Sequence, residues 1–236
     1  LSFISKWAGL LGLLAVLVIG DQIRINRPGH KYRLTVEVTT PDGIKAGSGI
    51  LAVVPDRNYN RSGRTTMRGE AVFVDLGQDG AKGRNLVALL AHRQDAKLDF
   101  DDINYVALRA HGAAHGNRVS FNDIQRQTGI VPVQGDLVPV LVSFGDPKDP
   151  TTARLVAADR AEAVLGEGYA IRGLNAEVVP NGLWPIDFGG ALGEPVTRGI
   201  AVKLPWLAAP GDGAATALKA AGLPSGGEAR EAFARK

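Results

Sequence analysis

His111 and His115, in His-Gly-Ala-Ala-His, make the most pointed chemical pattern in the chain. Four residues apart on a helix, two imidazoles share one face and reach one metal ion. The pattern is half a site, however. The glutamate of a His-Glu-x-x-His motif is missing, Gly112 weakens a helix, and Gly116-Asn117 ends one at once. His92 is a third ligand only if the fold delivers it, so a polar loop without metal is expected here. Gly47-Ser48-Gly49 hints at an exposed nucleophile. A nucleophile elbow needs strand, sharp turn and helix, and here a strand follows Ser48, which leaves close packing or a bulge as the expected use of those glycines.

Carboxylates gather twice, at Asp99, Asp101 and Asp102 and at Asp146 and Asp149. Pairs of that kind bind calcium or share a proton, but no twelve-residue calcium loop surrounds them, and turn or capping chemistry accounts for them more simply. Gly189-Gly190-Ala191-Leu192-Gly193 lacks the Lys-Ser/Thr of a phosphate loop. Three aromatic residues, Trp184, Phe188 and Trp206, lie in Gly/Pro-rich or late segments; core packing is their default use, and they are also the candidate partner contacts. The chain has no cysteine, which excludes disulfides, thiolate zinc sites and cysteine nucleophiles. No catalytic, cofactor or metal residue is therefore assigned.

The elements that must position these residues begin with an apolar front. From Trp7 to Gly20 there is no charge and no polar face. Phe3 to Ile19 would make about 26 Å of helix, just enough for a hydrocarbon layer of about 30 Å with Lys6 snorkelling. Residues 1–22 are read as an uncleaved membrane anchor; a cleaved secretory signal, with Val18 and Gly20 before the cut, is the alternative. Within this helix Ala8, Gly9, Gly12 and Ala15 form a small-residue face suited to close contact with a second membrane helix. Residues 1–33 carry a net charge of +4 out of the chain's +3, leaving −1 for everything after. The basic balance therefore sits beside the anchor, in a linker expected over 23–31, and favours anionic lipid or a neighbouring subunit over nucleic acid.

Beyond it, Leu34, Val36 and Val38 alternate with polar residues as a half-buried strand, Pro41-Asp42-Gly43 turns the chain, and Ser48 to Val54 returns it. Further strands are expected over Glu70–Leu76, Asn85–Ala91, Leu137–Phe144 at a sheet edge because of Pro139, and Tyr169–Val179. Short helices are expected over Phe121–Thr128, Asp159–Leu165 and Val196–Trp206, and a partly helical or loose tail over 208–236.

The segments YRLTVEVTTPDGIKAGSGI, RGEAVFVDLG with NLVALLAH, VPVLVSFGDPKDPTTARLV and EPVTRGIAVKLPWL, placed behind a front anchor, resemble a group of uncharacterised membrane-anchored proteobacterial proteins without assigned activity. The likeness covers most of 32–207. It implies a bacterial, envelope-facing protein and carries over no catalytic residue.

The expected fold is thus α+β: one N-terminal transmembrane helix, then a single mainly antiparallel domain over 32–207 with a few short helices. The expected role is a non-catalytic accessory or scaffolding subunit of a bacterial membrane protein complex, with membrane lipid and that complex as partners and the domain on the periplasmic side of the inner membrane. A membrane-tethered envelope hydrolase and a periplasmic ligand-binding module are the alternatives.

Overall fold

The computed structural model describes residues 3–55, 64–79, 82–95, 97–182 and 193–235. Helix α1 (Phe3–Asn26) leads into β1 (His30–Thr40), β2 (Gly43–Pro55), β3 (Thr65–Glu70), β4 (Val72–Asp79), β5 (Lys82–Ala88), β6 (His92–Gln94) and β7 (Lys97–Asp99). There follow α2 (Val106–His115), β8 (Ile130–Pro132), β9 (Leu141–Phe144), β10 (Ala153–Val156), α3 (Glu162–Leu165), β11 (Ala170–Val179), α4 (Ile200–Lys203), α5 (Gly213–Ala220) and β12 (Ala234–Arg235). The fold is α+β, with antiparallel sheets and mostly short helices.

A six-stranded sheet runs β12-β3-β2-β1-β11-β8 and a four-stranded one β10-β9-β5-β4. The alternation read from Leu34 to Val38 buries Tyr32, Leu34, Val36 and Val38 between them, while Arg33, Thr35 and Glu37 face outward. The hairpin turn falls at Pro41-Asp42, where Thr40 pairs with Gly43 at φ 113°.

β5 and β9 read as unbroken apolar runs because both their faces are buried. Leu86, Ala88 and Leu90 face the six-stranded sheet, while Val87 and Leu89 face a third layer made by the C-terminal segments. Two expectations are corrected by that layer. β9 lies between β5 and β10 instead of at an edge, and Pro139 stays outside the strand, which starts at Leu141. The tail after Ala208 is not loose. α5, a 3₁₀ turn at Ala229–Ala232 and β12 bury Ala217, Leu218, Leu223, Ala232 and Phe233 against β5 and β9.

Other boundaries shift as well. The expected helix over Phe121–Thr128 is a 3₁₀ turn at Ile124–Arg126, and Val196–Trp206 narrows to α4 followed by a 3₁₀ turn at Pro205–Leu207. β3 lies just ahead of the strand expected from Glu70, and in it Met67 and Gly69 turn inward. Among the described residues no helix is long and apolar enough to cross a membrane; the stretch 7–21, where side chains of α1 are described almost without a break, is short.

Candidate functional site

The side chains that could do chemistry are scattered, and most are spent on structure. α2 is a helix and not the loop expected from its glycines. Val106, Ala107 and Ala110 bury one face, and Gly116 in the left-handed region closes it. Gly112 is required there, since a Cβ would stand 2.7 Å from the Asn117 carbonyl. His111 is fully buried, with both ring nitrogens unpartnered among the described residues, and its ring stacks on His115 at 6.0 Å. Burial, with His115 beside it, pushes the His111 imidazole below its usual range. His92 is separately tied down, its Nε2–H donating to the Leu137 carbonyl at 2.8 Å. Among the described residues, no three His, Asp or Glu side chains lie close enough to hold a metal ion.

The glycines around Ser48 serve close packing. β2 crosses β4 so tightly that a Cβ on Gly47 would meet the Phe73 carbonyl at 2.4 Å, and one on Gly49 would meet Val72 at 3.1 Å. Ser48 itself points to the exposed side. Asp99 accepts from the backbone N–H of Asp101 and Asp102, at 2.7 and 3.0 Å. Asp146 accepts from Lys148 N–H and Asp149 from Thr151 N–H, both at 2.9 Å. These carboxylates shape turns.

Trp206 packs in the core, the default of the two uses read for it. It is 8 % exposed, lies edge-on to Phe233 at 5.2 Å and tilted on Phe144 at 5.6 Å, and donates through Nε1 to the Pro147 carbonyl at 2.9 Å. Trp184 and Phe188, like Gly189 to Leu192, lie outside the described residues. Clefts of about 480 and 430 Å³ flank the 224–229 segment, but their charged residues Lys97, Asp212, Glu228 and Arg230 are exposed, and Asp212 already caps Ala215 N–H at 3.3 Å.

The feature that packing leaves unexplained is the front helix and its junction. Trp7, Leu10, Leu11, Leu13, Leu14, Val16, Leu17, Val18 and Ile19 are 46–67 % exposed, distributed round the helix. Ala8, Gly9, Gly12 and Ala15 are exposed too, with nothing within 4 Å of a Cβ added at Gly9 or Gly12. The linker expected over 23–31 is shorter: α1 continues to Asn26 and β1 begins at His30. Of the three intervening residues, Pro28 and Gly29 are hydrogen-bonded into the domain. Gly29 N–H donates to the Val53 carbonyl at 2.7 Å, Gln125 Nε2 donates to the Gly29 carbonyl, and Asn181 Nδ2 donates to the Pro28 carbonyl at 3.3 Å.

His30 seals the junction from within. Fully buried, with neither ring nitrogen partnered among the described residues, it packs edge-on to Phe121 at 5.4 Å and stacks over Tyr32 at 6.1 Å. Burial lowers its imidazole to about 4. This junction was not singled out in the sequence, where Pro28-Gly29 looks like any linker; the signal that would have found it is an apolar strand pattern starting immediately behind the glycine. No family model, curated protein or solved structure matches the chain.

Proposed function

We propose that the protein is a non-catalytic accessory or scaffolding subunit of a bacterial membrane protein complex. In this reading α1 is the anchor, Phe3 to Ile19 lie in the bilayer, and the α+β domain stands on the periplasmic side of the inner membrane. The observation that carries the reading is the all-round exposure of nine large apolar side chains on α1. About half exposed, each left in water forfeits roughly half of the about 1.5–3 kcal/mol that full burial gives, and the nine together reach a sum comparable to the stability of a whole domain. Lipid or a second helix removes that cost. The short hydrogen-bonded junction supports a domain held close to its anchor point. Among the described residues, the use of His92, Asp99, Asp146 and Asp149 to hold backbone groups in turns and loops supports a non-catalytic role.

Solubilisation in mild detergent followed by affinity capture of the full chain tests the proposal. Stoichiometric recovery with a larger membrane assembly is expected. A lone monomer that hydrolyses an envelope ester or peptide, or that carries one tightly bound small molecule per chain, would replace it with a tethered hydrolase or a ligand-binding module.

A further inference from the structure

We infer that the end of the folded domain beside α1, carried by residues 118–126, rests on an anionic lipid surface and so sets the attitude of the domain to the bilayer. The inference rests on the reading of α1 as a bilayer anchor and adds a second contact to it. Residues 118–126 are brought to the junction by two contacts: Phe121 packs on His30, and Gln125 donates to the Gly29 carbonyl. Arg118 and Arg126 flank these contacts and are exposed, as are Arg27 in the junction and Arg64 at the start of β3. Asp123 is the acidic residue of the segment, and its pair with Arg126, at 3.2 Å between exposed side chains, is of the weak kind that a phosphate readily replaces.

Distance decides whether these charges meet lipid. From the end of the apolar run at Gly20, seven residues of helix reach Arg27, a rise of about 11 Å. The headgroup layer takes up about 5–8 Å of that, and the screening length at physiological salt is about 8 Å. Arg27 and the segment hydrogen-bonded beside it therefore fall inside the attractive field of an anionic surface. The hairpin tip at Asp42 lies the length of β1 away, about 35 Å farther out.

The absence of native cysteine makes single-site labelling clean. Full-length chains carrying a fluorophore at Leu14→Cys, Asn122→Cys or Asp42→Cys are reconstituted into vesicles of phosphatidylcholine alone or with about one-third phosphatidylglycerol. Quenchers sit on either the acyl chain or the headgroup. With anionic vesicles the Asn122 label is expected to be quenched from the headgroup at least about threefold more than the Asp42 label, and to lose that difference in 1 M salt. Arg118→Glu with Arg126→Glu is expected to bring Asn122 down to the Asp42 level while Leu14 stays quenched from the acyl chain. A quenched Leu14 with Asn122 and Asp42 alike in both vesicle types overturns the lipid contact and leaves the surface to a protein neighbour. An unquenched Leu14 overturns the anchor reading itself.

Discussion

At the residue scale, Gly47 shows how a motif that suggests chemistry is explained by packing. Its missing side chain lets β2 pass within contact of β4, and a methyl group there would collide with a backbone carbonyl, which cannot rotate away. Gly47→Ala is expected to destabilise the domain by more than about 2 kcal/mol, whereas Ser48→Ala, on the exposed side, stays within about 0.5 kcal/mol. Chemical denaturation of the two variants checks this; equal, small effects would mean that β2 and β4 are not so close. His30 makes a second test, through pH. Its imidazole is held neutral at about 4 against an ordinary value near 6.5, so the unfolded chain binds the proton more readily. Its contribution is complete above about pH 6.5 and is lost as the pH falls toward about 4, at a cost on the order of 3 kcal/mol. His92 and His111, lowered by burial in the same sense, add to that slope. Replacing His30 by Phe, which preserves an aromatic ring between Tyr32 and Phe121, should flatten the stability profile between those limits. An unchanged profile would show that His30 is not the group being titrated.

At the scale of elements, the C-terminal layer turns one sheet of a two-sheet packing into the middle of three layers. Leu218, Leu223 and Phe233 cover the outer face of β5 and β9, and the chain end is stitched on both sides. Ala71 N–H donates to the Phe233 carbonyl at 2.9 Å, and Leu90 N–H to the Ala232 carbonyl at 2.7 Å. Arg235 spans the same seam, donating to the Phe100 and Leu90 carbonyls at 2.8 and 2.5 Å. Those three large side chains alone account for about 5–9 kcal/mol of burial, as much as many domains have in total. A chain ending at Ala208 should therefore show no cooperative thermal transition; a sharp melt at the full-length temperature would restore the loose tail. The strands whose period is close to two, β1 and β11, were legible because one face is more buried than the other, whereas β2, buried without alternation from Gly49 to Val54, was legible from the turn that precedes it. The layer that covers β5 and β9 was not, because Ala, Gly and Pro dominate its composition and its few large residues, Leu218, Leu223 and Phe233, are spaced without a helical or strand period. The apolar run of β5 was itself the clue, since a strand apolar on both faces needs a layer on each. The helix α2 was hidden for a related reason: Gly112, a helix-weakener by composition, is dictated by the close approach of Asn117.

At the scale of the molecule, the proposed role depends on whether α1 merely tethers the domain or recognises a neighbour. Ala8, Gly12 and Ala15 lie along one side at steps of four and three, with Gly9 beside them, while Leu10, Leu13, Leu14 and Leu17 occupy the rest. Small residues at that spacing let two helix backbones approach closely in lipid, where packing and not hydrophobicity drives association. The side is open in the isolated chain, with no atom within 4 Å of an added Cβ at Gly9 or Gly12. Gly12→Leu leaves the domain from His30 to Arg235 untouched, so its melting temperature should not move. If the small-residue side is the recognition surface, the variant remains in the membrane but loses its assembly on capture from mild detergent, with recovery of the neighbour falling about tenfold or more. Leu17→Ile, on the other side, should retain it. Full recovery of the neighbour with Gly12→Leu would shift recognition to the domain. Trp206, locked between Phe144 and Phe233, is then unavailable, and Trp184 and Phe188 become the residues to substitute next.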